Sequence, residues 1–293
     1  MNLPPPGVLL PIITPFRDGR IDLAGYRSLV RHYLDQGIHG LVPLGTTGEA
    51  ATLDETESDQ LIEATVDVVN GRVPIYVGLG SNSTEKAVGQ IREWNRYNVA
   101  GFLVTSPYYT LPSQQGIVEH YTRLAGSTDK QILIYNIPHR TGRNLENDTI
   151  LKLAAIPNIT GLKDTCGKVG QSVELLRDKP REFAVYTGED ILFHFNLTHG
   201  GLGGILASAH VLTHRFIAQW EAVRKGDLPR ALEEWNRVSR VIPLLFQEPS
   251  PGPIKYLLAR QGLISSPELR LPMTQVSTEL GNVLDRWLQE TGE

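Results

Sequence analysis

Eight short apolar runs rich in β-forming residues, each followed by an amphipathic helical stretch, recur between Val8 and Arg224, and this alternation is the signature of a parallel sheet built from βα units. The strand candidates are Val8–Thr14, Gly40–Leu44, Pro74–Leu79, Gly101–Thr105, Gln131–Asn136, Ile159–Asp164, Phe183–Thr187 and Gly203–Ser208. The helix candidates between and after them are Asp22–Gln36, Asp54–Val69, Ser83–Tyr97, Gln114–Ala125, Glu146–Ala155, Val169–Leu176, Ile191–Thr198 and Leu212–Arg224. Eight strands with a helix after each close into a (β/α)8 TIM barrel more naturally than they form an open doubly wound sheet, which usually has fewer strands. Asp22 and Ser83 stand where helix N-caps are wanted, and Gly37 and Gly71 just past helix ends. After Gly226 the pattern becomes helical only, at about Pro229–Phe246, Pro253–Arg260 and Val276–Gln289. The expected organisation is an α/β barrel carrying the active site over residues 1–226, with residues 227–293 a C-terminal helical extension packed on it.

The 293-residue length suits one barrel plus an appendage, since such barrels take about 250 residues. A net charge of −4, with both signs spread along the chain, offers no basic stripe for nucleic acid and no cluster for a membrane surface. No apolar run reaches the ~18 residues of a membrane span, and Met-Asn-Leu-Pro-Pro-Pro lacks the regions of a secretory signal, so a cytoplasmic protein is expected. The single cysteine, Cys166, agrees with a reducing compartment and reads as a bystander.

The sixth run, Ile159-Thr160-Gly161-Leu162-Lys163-Asp164, carries a lysine near its C-terminal end. A strand covered on both faces tolerates an ammonium poorly, so Lys163 is paired, snorkels to the rim, or serves chemistry. Reacting groups of a βα barrel sit where strands end. Other strand ends carry Gly45-Thr46-Thr47-Gly48-Glu49, Pro107-Tyr108-Tyr109 and Tyr135-Asn136-Ile137-Pro138-His139-Arg140-Thr141-Gly142. Singly, each has a structural explanation: turn glycines, rim tyrosines, a surface arginine. Together they bring hydroxyls, phenols, a guanidinium and an amine to one face, a set that suits imine formation with a 2-oxo acid. An amine attacks a carbonyl only when unprotonated; at the ordinary lysine pKa of ~10.4 about one in two thousand is neutral at pH 7, and burial raises that fraction. The iminium is an electron sink, so a proton leaves the adjacent carbon and the enamine attacks an aldehyde. In this scheme Tyr135 passes protons with a hydroxyl such as that of Thr46, Thr47 holds the oxo acid's carboxylate, and Arg140 offers its fork to a carboxylate on the aldehyde.

GTTGE at Gly45–Glu49, SPYY at Ser106–Tyr109, YNIPHRTG at Tyr135–Gly142 and GLKD at Gly161–Asp164 occur in that order, and through them the chain resembles the dihydrodipicolinate synthase/N-acetylneuraminate lyase family of pyruvate-dependent class I aldolases, from about Val8 to Pro272. The resemblance implies that Lys163 is the Schiff-base lysine, Tyr135 the general acid/base and Thr46 its relay partner. It implies that Tyr109 crosses a dimer interface into a neighbouring subunit's site. Thr47 and the backbone of Ile205 would line the pyruvate pocket, and the glycines ending at Gly204 would let backbone approach it. The covalent imine takes the place of a cofactor, no metal is expected, and the partners are pyruvate, an aldehyde and further copies of the chain in a dimer or tetramer.

Thr-Thr in GTTGE and the arginine of HRTG resemble the synthase branch, whose second substrate is aspartate 4-semialdehyde; this is the expected function. Gly-Ile-Leu-Ala-Ser at 204–208, Asp-Thr-Cys-Gly after Lys163, and His139 keep open another aldolase, lyase or dehydratase of the family acting on a sugar-derived oxo acid. A catalytically idle oxo-acid-binding regulator is the alternative from another class, and intact Lys163, Tyr135, Thr46 and Arg140 speak against it. A metal-dependent aldolase would need converging ligands, whereas His210 and His214 have i,i+4 spacing without an acidic partner and read as structural. Glu49 reads as a brace for its turn. Lysine-sensitive relatives place histidines where Glu55 and Ser58 stand, while Asn82 and Tyr108 match, so little inhibition by lysine is expected.

Overall fold

The computed structural model describes residues 3–292. Its parallel sheet contains β1 (Gly7–Leu10), β2 (Gly40–Leu41), β3 (Tyr76–Leu79), β4 (Gly101–Thr105), β5 (Gln131–Asn136), β6 (Ile159–Asp164), β7 (Ala184–Thr187) and β8 (Gly203–Ile205). They pair in the order β2-β1-β8-β7-β6-β5-β4-β3, the sequential order of an eightfold βα repeat. The helices after the strands are α1 (Leu23–Asp35), α2 (Glu55–Val69), α3 (Thr84–Trp94), α4 (Gln114–Ala125), α5 (Asn147–Ala154), α6 (Val169–Asp178), α7 (Phe193–Thr198) and α8 (Thr213–Arg224). Three more follow: α9 (Leu228–Val238), α10 (Gly252–Arg260) and α11 (Thr278–Thr291).

By their contacts the residues form two compact units, one joining the N-terminal residues through Gly7 to Pro74–Ile205, the other joining Val8–Val73 to the chain from Leu206 onward. In the first unit β3 to β8 pair in parallel, and β6 is buried along all six residues, as a strand covered on both faces must be. The core of this unit is built from Val, Ile, Leu and Phe of these strands with the inner faces of α3 to α6. In the second unit β1 pairs with β2, Leu9 opposite Gly40 and Leu10 opposite Leu41, with α1 packed on α2 and α8 on α9.

Local chemistry sets the boundaries. Asp22 caps α1 by accepting from Gly25 N at 2.8 Å, Ser83 caps α3, and Asp54 with Glu57 forms a reciprocal capping box at α2. Strands β4, β5 and β6 have the expected limits. The expected Val8–Thr14 and Gly40–Leu44 are cut short because Pro11 and Pro43 follow and bring no N–H to a ladder. The expected helix Pro229–Phe246 divides into α9 and a one-turn helix at Ile242–Leu245, since Pro243 cannot donate to the carbonyl four residues back.

Candidate active site

Lys163 stands next to last on β6, 6% exposed, and its register partner on β5 is Tyr135. Side chains at paired positions of adjacent parallel strands lie side by side, and the Lys163 Nζ sits 4.3 Å from the centroid of the Tyr135 ring. Thr105, at the end of β4, is the register partner of Tyr135 on its other side. The hydroxyls of Thr105 and of Thr165, just past Lys163, are buried without a hydrogen-bond partner among the described residues. The row therefore presents an amine, a phenol and two unsatisfied hydroxyls at the C-terminal ends of neighbouring strands, where polar ligand atoms would be satisfied.

The supports of this row are themselves tied down. Asp164 ends β6 with its carboxylate turned to the loop, accepting from Ser172 Oγ at 2.5 Å and Cys166 N at 3.1 Å. Burial, and next the Asp164 carboxylate, push the Cys166 thiol up to about 11, which makes it a poor nucleophile and agrees with a bystander. Asn136, after Tyr135, donates to Asn144 Oδ1 at 3.0 Å and accepts from Leu145 N at 3.1 Å, pinning the intervening segment. That segment carries Arg140, exposed on a one-turn helix at Pro138–Thr141 that ends on left-handed Gly142. Arg143 donates to Leu111 O at 3.1 Å and so links this segment to the loop of Tyr109. Tyr109 is 87% exposed with φ 71°, a left-handed conformation uncommon for a tyrosine. Gly204 pairs with Thr187, and Ile205 ends β8 fully buried.

The other unit holds the GTTGE segment. Thr46–Gly48 form one 3-10 turn beyond β2, with Thr46 exposed and Thr47 buried. His210 is buried in the same unit and accepts from Ile13 N through Nε2 at 3.1 Å, with Nδ1 2.8 Å from Ala207 O, while His214 lies exposed. Both ring nitrogens of His210 thus have structural partners, as expected of it.

Gly188 escaped the sequence reading. A Cβ there would stand 2.9 Å from Lys163 Cγ, and nearer still to Lys163 Cε and Thr165 Oγ1. The signal was present as a Thr-Gly pair closing the seventh strand, like the glycines closing the second.

The model of the dihydrodipicolinate synthetase family matches residues 4–291. Among curated relatives, 4-hydroxy-tetrahydrodipicolinate synthase 2 of Clostridium acetobutylicum is 48% identical over 282 residues, covering 96% of this chain and 99% of that protein. The 4-hydroxy-tetrahydrodipicolinate synthase of Methanoculleus marisnigri is 39% identical, over 92% of this chain and 94% of its own. Among solved structures, a monomeric dihydrodipicolinate synthase variant superimposes with a TM-score of 0.96 at 33% identity, over 98% of this chain and 97% of its own. The chloride-inhibited dihydrodipicolinate synthase of Acinetobacter baumannii complexed with pyruvate gives 0.94 at 33% identity, over 98% and 99%. The fold class is thus the (β/α)8 barrel with C-terminal helices, and the chain belongs to the dihydrodipicolinate synthetase family.

Proposed function

We propose that the protein joins pyruvate to aspartate 4-semialdehyde through an imine on Lys163, the reaction of a 4-hydroxy-tetrahydrodipicolinate synthase. The observation that carries the reading is an amine buried near the end of a barrel strand with a phenol ring 4.3 Å away. Lys163 Nζ attacks the ketone carbon of pyruvate, the carbonyl oxygen leaves as water, and an iminium remains. The iminium draws electrons from the methyl group, a proton leaves, and the enamine carbon bonds to the aldehyde carbon while the aldehyde oxygen takes up a proton. The amine of the aspartate 4-semialdehyde then adds to the iminium carbon and closes the ring, and the bond from that carbon to Lys163 Nζ breaks as the nitrogen takes up a proton, which restores the lysine. Tyr135 moves these protons with Thr46 as relay. Thr47 and the backbone at Gly204 and Ile205 hold the carboxylate of pyruvate, and Arg140 binds the carboxylate of the aldehyde bidentately. The lysine itself supplies the electron sink, so the scheme calls on neither metal nor organic cofactor.

Tyr109 completes the site of a second copy, in a homodimer or a tetramer built from dimers. Its exposure, its left-handed backbone and the exposed Tyr108 and Leu111 beside it support that role. In this reading the enzyme is cytoplasmic, residues 1–226 make the catalytic barrel and residues 227–293 its helical extension. The test is to incubate the protein with pyruvate and aspartate 4-semialdehyde and follow both. Equal consumption is expected. If neither is used while a sugar-derived 2-oxo acid releases pyruvate, the synthase reading is wrong, and if pyruvate forms no adduct the idle binding protein takes its place.

A further inference from the structure

The Thr46–Gly48 turn is held from outside its own sequence. Within it, Gly48 N donates to Gly45 O at 3.0 Å and Glu49 N to Thr46 O at 3.1 Å, and Thr14 Oγ1 donates to Gly48 O at 2.7 Å. Gly48 is closely packed, since a Cβ there would lie 3.0 Å from Ile12 O. The chain then leaves the turn through Glu49 at φ 54°, a left-handed conformation costing a non-glycine residue on the order of 1 kcal/mol. Such a residue persists only where its surroundings fix it.

Those surroundings come from α10 and the irregular segment between α10 and α11, which carries Glu268 and Arg270. Glu49 turns its carboxylate inward, 5% exposed, into an ion pair with Lys255 of α10, which is 0% exposed and lies 206 residues further along the chain. The same ammonium donates to Glu268 O at 2.8 Å and stands 4.2 Å from the centroid of the Phe16 ring, so it is held by two oxygen acceptors and an aromatic face. The second oxygen of Glu49 accepts from Arg270 N at 3.1 Å. The Arg270 guanidinium in turn grips Glu57 through two contacts of 2.5 and 2.6 Å and donates to Thr52 O at 3.0 Å. Every polar atom of the pair is occupied, and both ends of the segment from Glu49 to Thr52 are anchored to residues beyond 250.

Stability alone does not account for such an arrangement. Taking two charges out of water offsets most of their attraction, and a well-packed apolar pair of similar volume usually serves stability as well or better. What hydrogen-bonded charges add is direction, because a carboxylate with both oxygens committed cannot rotate. We propose that Lys255 is a positioning residue of the active site, acting through Glu49 to fix the orientation of the Thr46–Thr47 turn, a role that rests on the assignment of these two threonines to proton relay and carboxylate binding. The C-terminal segment then contributes to the chemistry without touching substrate.

The test uses the full-length protein and the variants K255M, E49Q, E49Q/K255M and R270Q. Each is measured for melting temperature, KM for pyruvate, and the rate of borohydride-trapped imine at saturating pyruvate. K255M strands a buried carboxylate and melts lower. E49Q/K255M carries neither charge and regains most of the melting temperature, yet traps the imine at least tenfold more slowly, with KM raised severalfold, since a displacement of about 1 Å in a catalytic group costs up to ~100-fold in rate. E49Q alone strands the ammonium, and both it and K255M trap the imine at least tenfold more slowly than the parent. R270Q, cut at the half-buried outer arm, slows trapping severalfold. A folded E49Q/K255M trapping at the parental rate overturns the positioning role, and should that variant not fold, R270Q at the parental rate overturns it instead. Absence of any adduct in the parent protein refutes the imine reading itself, a result distinct from an adduct that forms equally fast in parent and variants.

Discussion

Replacing Gly188 by alanine tests whether the placement of Lys163 governs activity. The new Cβ would stand 2.9 Å from Lys163 Cγ, where ordinary contact begins at 3.4 Å, so Cγ must retreat by about half an ångström and Cε, which the methyl approaches more closely, by more. Thr165 Oγ1, without a hydrogen-bond partner among the described residues, can turn aside, whereas Lys163 is met at both Cγ and Cε and cannot clear the methyl without moving its chain. The lysine therefore yields, and its terminal Nζ moves by about 1 Å, which corresponds to a loss of up to ~100-fold in rate. Overpacking of this kind costs about 1–3 kcal/mol, or a fall in melting temperature of roughly 2–10 °C. G188A should thus remain folded at 25 °C while kcat and the rate of imine trapping fall together. Gly170, near the start of α6, has no atom within 4 Å of its notional Cβ, so G170A is the matched control and should keep both activity and stability. Parental trapping in G188A would refute the argument that Lys163 works from one narrow position.

Acid should destabilise the fold through two histidines. Burial holds His120 and His210 at about 4, below the ordinary value of 6.5, so the unfolded chain takes up protons first and stability falls as pH drops from 6.5 through 4. Between pH 7 and 4.5 each contributes a loss of about 2 kcal/mol, and urea unfolding of H120Q should show a shallower pH slope than the parent; an unchanged slope would contradict this. Cys166, pushed up to about 11, should react with iodoacetamide at pH 8 at least ~100-fold more slowly than a free thiol, and rapid alkylation of the folded protein would contradict the burial argument. Lysine at micromolar concentration should leave the condensation rate nearly unchanged, because Glu55 and Ser58 stand where sensitive relatives carry histidines, and strong inhibition would overturn that expectation.

The parts of this molecule that were legible beforehand are those fixed by local pattern. β4 opens on Gly101 and β6 closes on Asp164, and these two strands and β5 have the limits expected from their apolar runs. β1 and β2 were read too long because hydrophobicity continues past Pro11 and Pro43, although the ladder cannot. Lys163 and Tyr135 announced themselves by chemistry out of keeping with buried strands, and the register that sets them side by side follows from where those strands begin. Glu49 was legible as a brace but its partner was not, since no periodicity links it to a lysine 206 residues away. Gly188 was overlooked for a related reason: the need for a missing side chain shows only when Lys163 and Thr165 stand in place.

The most direct test is mass spectrometry of the protein reduced with borohydride in the presence of pyruvate. The account predicts one adduct, heavier by pyruvic acid less an oxygen atom, on the peptide holding Lys163 and lost in K163A. Modification of another lysine, or none at all, would contradict it.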